Sequence, residues 1–170
     1  MKWIGAILIL LTCTWVGIDL AKRYTQRPKE IRELIHALQL MESEMTYSKE
    51  PLHQILLNIS KQVNAPISFL FYDTYEELVH SDQSVSEITS LTIKKNLHKL
   101  ALKQKEIELL LQFTQTLGSH NLSQQLKQIS LVLVHLHHEL SDALAEEKRF
   151  ASLFRSLGVL TGLLLVLILI

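Results

Sequence analysis

One cysteine, Cys13, is the whole thiol complement of this chain. No intramolecular disulfide and no cysteine-built metal cluster can therefore form. Glycine is nearly as scarce: five residues leave little backbone for phosphate-cradling loops. None of G-x-x-x-x-G-K-[ST], G-x-G-x-x-G or G-x-S-x-G occurs, so the common nucleotide-binding and nucleophile-elbow chemistries are excluded and no cofactor is implied. Excess charge of one sign is missing too, because 17 Lys and Arg balance 17 Asp and Glu. Without a net field, nucleic acid is not an expected partner. No pair of strand-like runs joined by a turn signature is present either.

What the chain does have is apolar residues, 48% of the total, gathered at its two ends. The run Trp3 to Ile18 is uncharged and closes on Asp19, Lys22 and Arg23. It is near the short limit for a tilted or thinned membrane crossing. A cleaved signal peptide is the competing reading, but the charged n-region is only Met1-Lys2 and no small-x-small site follows. At the other end, LGVLTGLLLVLILI runs from Leu157 to Ile170 without a charge. A helix apolar on every side belongs in lipid. Lys22, Arg23, Arg27 and Lys29 follow the first run, and Lys148, Arg149 and Arg155 precede the second. By the positive-inside rule these collars place the central region on the cytoplasmic side. The expected division is 1-21 as an N-terminal transmembrane helix, 22-155 as a cytoplasmic helical bundle and 156-170 as a C-terminal transmembrane helix.

The central region reads as helix throughout. Pro28 suits a first helical turn, and Ile31, Leu34, Ile35, Leu38, Met41 and Met45 follow at three- and four-residue steps. Pro51 restarts a helix with the stripe Leu52, Ile55, Leu56, Ile59 and Val63, stopped at Asn64-Ala65-Pro66. A short connection between these two favours an antiparallel hairpin. In Ile67 to Val79, the positions Phe71, Tyr75, Leu78 and Val79 keep helical spacing despite β-forming composition. His80 to Ser84 is a polar loop, and Ser86, Ile88, Leu91 and Lys94 to Leu100 give a weaker helix. Lys103 to Leu117 is strongly helical and stops at Gly118. Asn121 or Ser123 then caps the last helix.

That last helix organises the rest. Leu122, Leu126, Ile129, Leu133, Leu136, Leu140, Ala143, Glu147, Phe150, Phe154 and Leu157 alternate steps of 4 and 3, the spacing of one packed seam, broken only by Glu147. A single helix from Leu122 into the terminal apolar run would be roughly 70 Å long, about half of it in lipid. The expected fold class is thus all-α: an antiparallel bundle of about five to six helices flanked by two transmembrane helices, the last continuous into the membrane.

Three groups of residues are candidates for function. His135, His137, His138, Glu139 and Asp142 share one helix, but zinc-protease geometry needs a second histidine four after His138, and Asp142 stands there. A solvated face beside the seam is the ordinary reading. Gly158 and Gly162 form a small-xxx-small pair that would let another helix approach closely in the membrane. Gln39, Glu42 and Glu44 set polar and acidic groups on the first bundle helix, either as its wet side or as a docking surface.

Taken together, LIHALQLMESEMTYSKEPLHQIL, a helix ending TLG followed by SHNLSQQLKQI, and FRSLGVLTGLLLVLILI resemble the stage III sporulation protein AB family of endospore-forming bacteria over essentially the full length. Ser48-Lys49-Glu50 stands where that family would have a glycine before Pro-Leu. The resemblance implies a subunit of the secretion-like channel between mother cell and forespore, in the mother-cell membrane facing the forespore. It implies a cytoplasmic helical domain similar to the F-type platform proteins of type II secretion and type IV pilus systems. It also implies as partners a stage III sporulation protein AA-type ATPase, other membrane subunits of the channel and lipid. The expectation is a non-enzymatic platform that docks an ATPase. The alternative of another class is a two-span sensor whose central domain lies outside the cell and binds a ligand.

Overall fold

The computed structural model describes residues 2–48, 50–81, 83–117 and 121–151, together with 153, 156, 157, 160 and 161. Within 2–23, side chains are described for Thr12, Trp15, Val16, Asp19 and Lys22 only. Six α-helices and no strand occur among the described residues: α1 (Lys2–Tyr47), α2 (Leu52–Gln62), α3 (Ile67–His80), α4 (Val85–Asn96), α5 (Gln104–Thr114) and α6 (Leu122–Glu146). A 3-10 turn, Leu97–Lys99, follows α4, and a π-helical turn, Glu147–Ala151, follows α6. The all-α bundle expected from the periodicities is what forms. The chain divides into two compact units, one of Lys29–Leu140 and one of Met1–Pro28 with Ser141–Ile170.

In the larger unit, α1 supplies the central stripe. Ile31, Leu34, Ile35, Ala37, Leu38 and Met41 are all buried, at the three- and four-residue steps that put them on one face. Also buried are Ile55, Leu56 and Ile59 of α2, Ile67, Leu70 and Phe71 of α3, Ile88 and Ile93 of α4, and Ile107, Leu110 and Phe113 of α5. Only a void of about 30 Å³ remains where side chains of α1 to α5 converge, next to Leu38, Met41, Leu70 and Ile93. Consecutive helices pack in turn, α2 on α3, α3 on α4 and α4 on α5. From α6 the seam residues Ile129, Leu133 and Leu136 are buried, joined by Val132.

The connections are held by local chemistry. Ser84 accepts from the Glu87 N–H and the Glu87 carboxylate accepts from the Ser84 N–H, a reciprocal cap at the start of α4. Asn121 Oδ1 accepts from the Gln124 N–H at 3.2 Å, which makes Asn121 the cap of α6. The Glu106 carboxylate, fully buried, accepts from the Lys103 N–H at 2.8 Å at the start of α5. Glu33 accepts from both the N–H and the side-chain amide of Asn64 at 2.9 Å. The contact lies 14 residues before the end of α1 and two residues past the end of α2, so α1 and α2 run antiparallel at matched rise.

Three expectations need correction. Pro28 does not open a helix; it lies inside α1. Its ring removes the N–H that would bond to the Tyr24 carbonyl, a cost a long helix can bear at one turn when packing holds the flanks. Leu91 and Val79 do not face the core, being 56% and 52% exposed. The α4 face turned inward is Ile88, Thr92, Ile93 and Asn96 instead. Finally, the last helix is not uniformly α-helical: the i→i−4 ladder gives way at Glu147. A π turn inserts one residue into the helical count, a register shift of about 100° relative to a straight α-helix. Glu147, the one polar member of the seam, is where the register changes.

In the smaller unit, Arg27 and Tyr24 of α1 reach the end of α6 and the π turn that follows it. The Arg27 guanidinium donates to Glu146 Oε2 at 2.8 Å, with the Arg27 side chain 6% exposed. One turn earlier on α1, Tyr24 stacks at 5.4 Å on Phe150 of the π turn, over whose ring the Arg149 guanidinium also sits. Ala143 is buried there. Trp15, Val16, Leu153, Leu157 and Leu160 are all at least half exposed. Among the described residues no helix is long and apolar enough to cross a membrane. Most side chains of 3–18 and 156–170 lie outside those residues.

Candidate docking surfaces

α1 beyond Leu38 carries the first candidate. Gln39 is exposed, and Glu42 and Glu44 are half-buried. Gln39 and Glu42 are three apart and so neighbours on one face, whereas Glu44 lies about 140° round the helix from Gln39. The structure therefore pairs two of the three and sets Glu44 to the side. Neither the Glu42 nor the Glu44 carboxylate has a hydrogen-bond or ion-pair partner among the described residues. Both are free to receive a cationic or N–H donor from outside. The Glu42 carbonyl is taken by the Thr46 hydroxyl at 2.6 Å, which tightens the last turns of α1.

The histidine cluster opens on an accessible hollow of about 300 Å³ between α5 and α6, lined by Lys105, Glu108, Leu109, Gln112, His135, His138 and Glu139. Lys105 Nζ stands 3.8 Å from Glu139 Oε1. One ligand atom from each of His138, Glu139 and Asp142 lies within 4.8 Å of the other two, a spacing a metal ion could use but one that exposed acidic groups commonly show without an ion. Gly158 and Gly162, the expected membrane packing pair, lie outside the described residues.

Two surfaces escaped the sequence reading. On α3, Phe69, Tyr72 and Val79 are 51%, 42% and 52% exposed, on the face of the helix opposite Leu70, Phe71 and Thr74. The Tyr72 hydroxyl donates to Glu76 Oε1 at 3.2 Å, and that carboxylate holds the phenol above its ordinary range. On α6, Leu131 and Val134 are 46% and 66% exposed. The signal existed, since these apolar residues fall out of phase with the buried seams, but the aromatic crowding of α3 reads equally well as core.

Fold and surface together describe a class of protein: an all-α helical bundle with charged and apolar residues on its outer faces. Comparison with known proteins makes the description particular. The family model for Stage III sporulation protein AB (spore_III_AB) matches residues 2–170. Stage III sporulation protein AB of Bacillus subtilis (strain 168) is 40% identical over 169 residues, 99% of each chain. A solved structure of Stage III sporulation protein AB (SpoIIIAB) matches at a TM-score of 0.68 and 38% identity, covering 72% of this chain and 96% of that one. The chain belongs to the Stage III sporulation protein AB family, and its role is related to sporulation.

Proposed function

We propose that this protein is a membrane platform subunit of a secretion-like channel between mother cell and forespore, and that its helical bundle docks a cytoplasmic secretion-type ATPase of the stage III sporulation protein AA kind. In this reading residues 1-21 and 156-170 are membrane helices in the mother-cell membrane facing the forespore. Residues 22-155 are cytoplasmic, and other channel subunits and lipid complete the surroundings. The protein has no catalytic function of its own.

The observation that carries the membrane part is the exposure of Trp15, Val16, Leu153, Leu157 and Leu160 in one unit. Apolar side chains left bare along two helices are stable in lipid and a liability in water. The basic collars flanking both apolar runs support a cytoplasmic bundle. Arg27–Glu146 and Tyr24–Phe150 would then clamp the two helices together just inside the membrane. Displacement of the bundle would pass to both spans at once through that clamp. Gln39 and Glu42 are the proposed contact for the ATPase, with Glu44 beside them.

Two measurements test the reading. A thiol placed at Ser81 should resist a membrane-impermeant reagent in intact cells, and labelling there would instead support an extracytoplasmic sensor. The full-length chain in detergent should capture the ATPase, and Glu42→Lys with Glu44→Lys should weaken capture at least about tenfold, the effect of losing charge pairs at a desolvated contact. Undiminished capture would remove these residues from the docking site.

A further inference from the structure

The exposed faces of α3 and α6 match one another. On α3, Phe69, Tyr72, Glu76 and Val79 fall within one narrow arc of the helix, and Asp73 and Glu77 edge it. Asp73 accepts from the Asn96 amide at 2.9 Å and Glu77 lies 3.9 Å from Lys95 Nζ, so the acidic edge is fixed in place by α4. On α6, Lys127, Leu131, Val134 and His138 fall within a similarly narrow arc, and every one is exposed. Between Leu122 and Leu140 the only carboxylate of α6 is Glu139, which is 13% exposed and beside Lys105. One face is apolar with negative charge. The other is apolar with positive and ionisable imidazole groups.

We propose that these two faces dock on each other between copies of the chain, α3 of one copy against α6 of the next, so that the protein assembles head to tail. A pairing of like faces is disfavoured, because α3 on α3 would bring two faces carrying Asp73, Glu76 and Glu77 together, and α6 on α6 would gain no carboxylate to meet Lys127. Opposite charge and shared apolar character favour the heterologous contact. Such a contact, repeated, gives a ring if its rotation closes and an open row if it does not. Each stripe spans roughly 15 Å of helix, enough to fix one orientation with three apolar contacts and one ion pair, Glu76 with Lys127. The contact is independent of any ATPase.

The test is disulfide trapping of the full-length chain in its membrane, with Cys13→Ser as background. The double variant Tyr72→Cys/Val134→Cys should give a ladder of dimers, trimers and higher species on mild oxidation. Either single variant should stay monomeric, and a mixture of the two singles should stop at dimer. Lys61→Cys/Val134→Cys, pairing α6 with an exposed site on another helix, should give no ladder. Adding Glu76→Lys should lower the ladder at least about tenfold, and Lys127→Glu in the same chain should restore it. No ladder from the double variant, dimers from either single, or a ladder indifferent to Glu76→Lys would each overturn the proposal.

Discussion

Glu30 and Glu33 stand one turn apart on α1 and hold two different inter-helix connections, with opposite consequences for their protons. Glu30, 6% exposed, accepts from the Ala101 N–H at 2.6 Å just before α5. Burial pushes its carboxyl above the ordinary range, and the Ala101 N–H only partly opposes this. Glu33 accepts twice from Asn64 between α2 and α3. The Asn64 N–H, then its side-chain amide, hold this carboxyl below the ordinary range. One residue is thus held mainly against its ionised form and the other for it.

Stability should therefore respond to the two in opposite senses. The Glu33 contribution is present above its unfolded value of 4.5 and is lost as pH falls through its lowered folded value. The Glu30 carboxyl, raised when folded, penalises the native state at neutral pH. That penalty lifts as pH falls through the raised folded value towards 4.5. Glu33→Gln should cost about 1 kcal/mol at pH 7 and little near pH 3. Glu30→Gln, which keeps an acceptor for Ala101, should match or exceed the parent at pH 7. Urea unfolding between pH 3 and 8 checks both, and a parallel loss for the two variants would contradict the assignment.

Core and surface positions on neighbouring helices should separate cleanly. Ile59 is 0% exposed and Leu136 likewise, so alanine at either should cost about 2–5 kcal/mol through lost burial and the cavity left behind. Leu91, at 56% exposed, should tolerate alanine within about 0.5 kcal/mol. Midpoints of denaturant unfolding decide this. A Leu91→Ala loss as large as that of Ile59→Ala would mean Leu91 is covered in the assembled state.

Arg27 and Glu146 make a part-buried pair whose members should not be removed singly. Arg27→Ala takes the guanidinium away from a carboxylate that is 31% exposed, so the loss should be that of a charge-assisted hydrogen bond, about 1.5–3 kcal/mol. Replacing both, as Arg27→Met with Glu146→Leu, should recover most of that loss, because a well-packed apolar pair can substitute for a buried ionic one. Thermal unfolding of the detergent-solubilised chain provides the comparison. If the double variant is as damaged as the single, the clamp is specific to charge.

These residues also show what a sequence can and cannot disclose. The seams Ile31 to Met41, Ile55 to Val63 and Ile129 to Ala143 were readable because burial on a helix follows its own period. Asn64 to Pro66 and Asn121 were readable as punctuation because their chemistry acts within four residues. Glu33 reaching Asn64, Glu30 reaching Ala101 and Arg27 reaching Glu146 were not, since each is a contact across 31, 71 and 119 residues. Pro28 misled because its fixed φ fits a first turn and a helix interior alike, and only tertiary packing decides between them. Of the proposed docking residues, Gln39 and Glu42 proved to be neighbours, as their spacing of three requires. Glu44 could have been set apart from them by the same arithmetic.

The π turn after α6 supplies the last prediction. Glu147–Ala151 carries one residue more than an α-helix would use over the same rise, which shifts the helical register at that point. Deleting Arg149 should let the segment revert to an α turn. The Lys29–Leu140 unit has its own core and should keep its unfolding midpoint, while every later side chain rotates by about 100°. If platform and membrane helix act through a set register, spores should fall sharply in that variant although the protein is made at normal level. Two Gly-Gly pairs inserted near Ala151 should do the same by removing stiffness instead of changing register. Normal spore numbers in both variants would show that neither stiffness nor register beyond Glu146 matters, and the proposed coupling from bundle to bilayer would have to be abandoned.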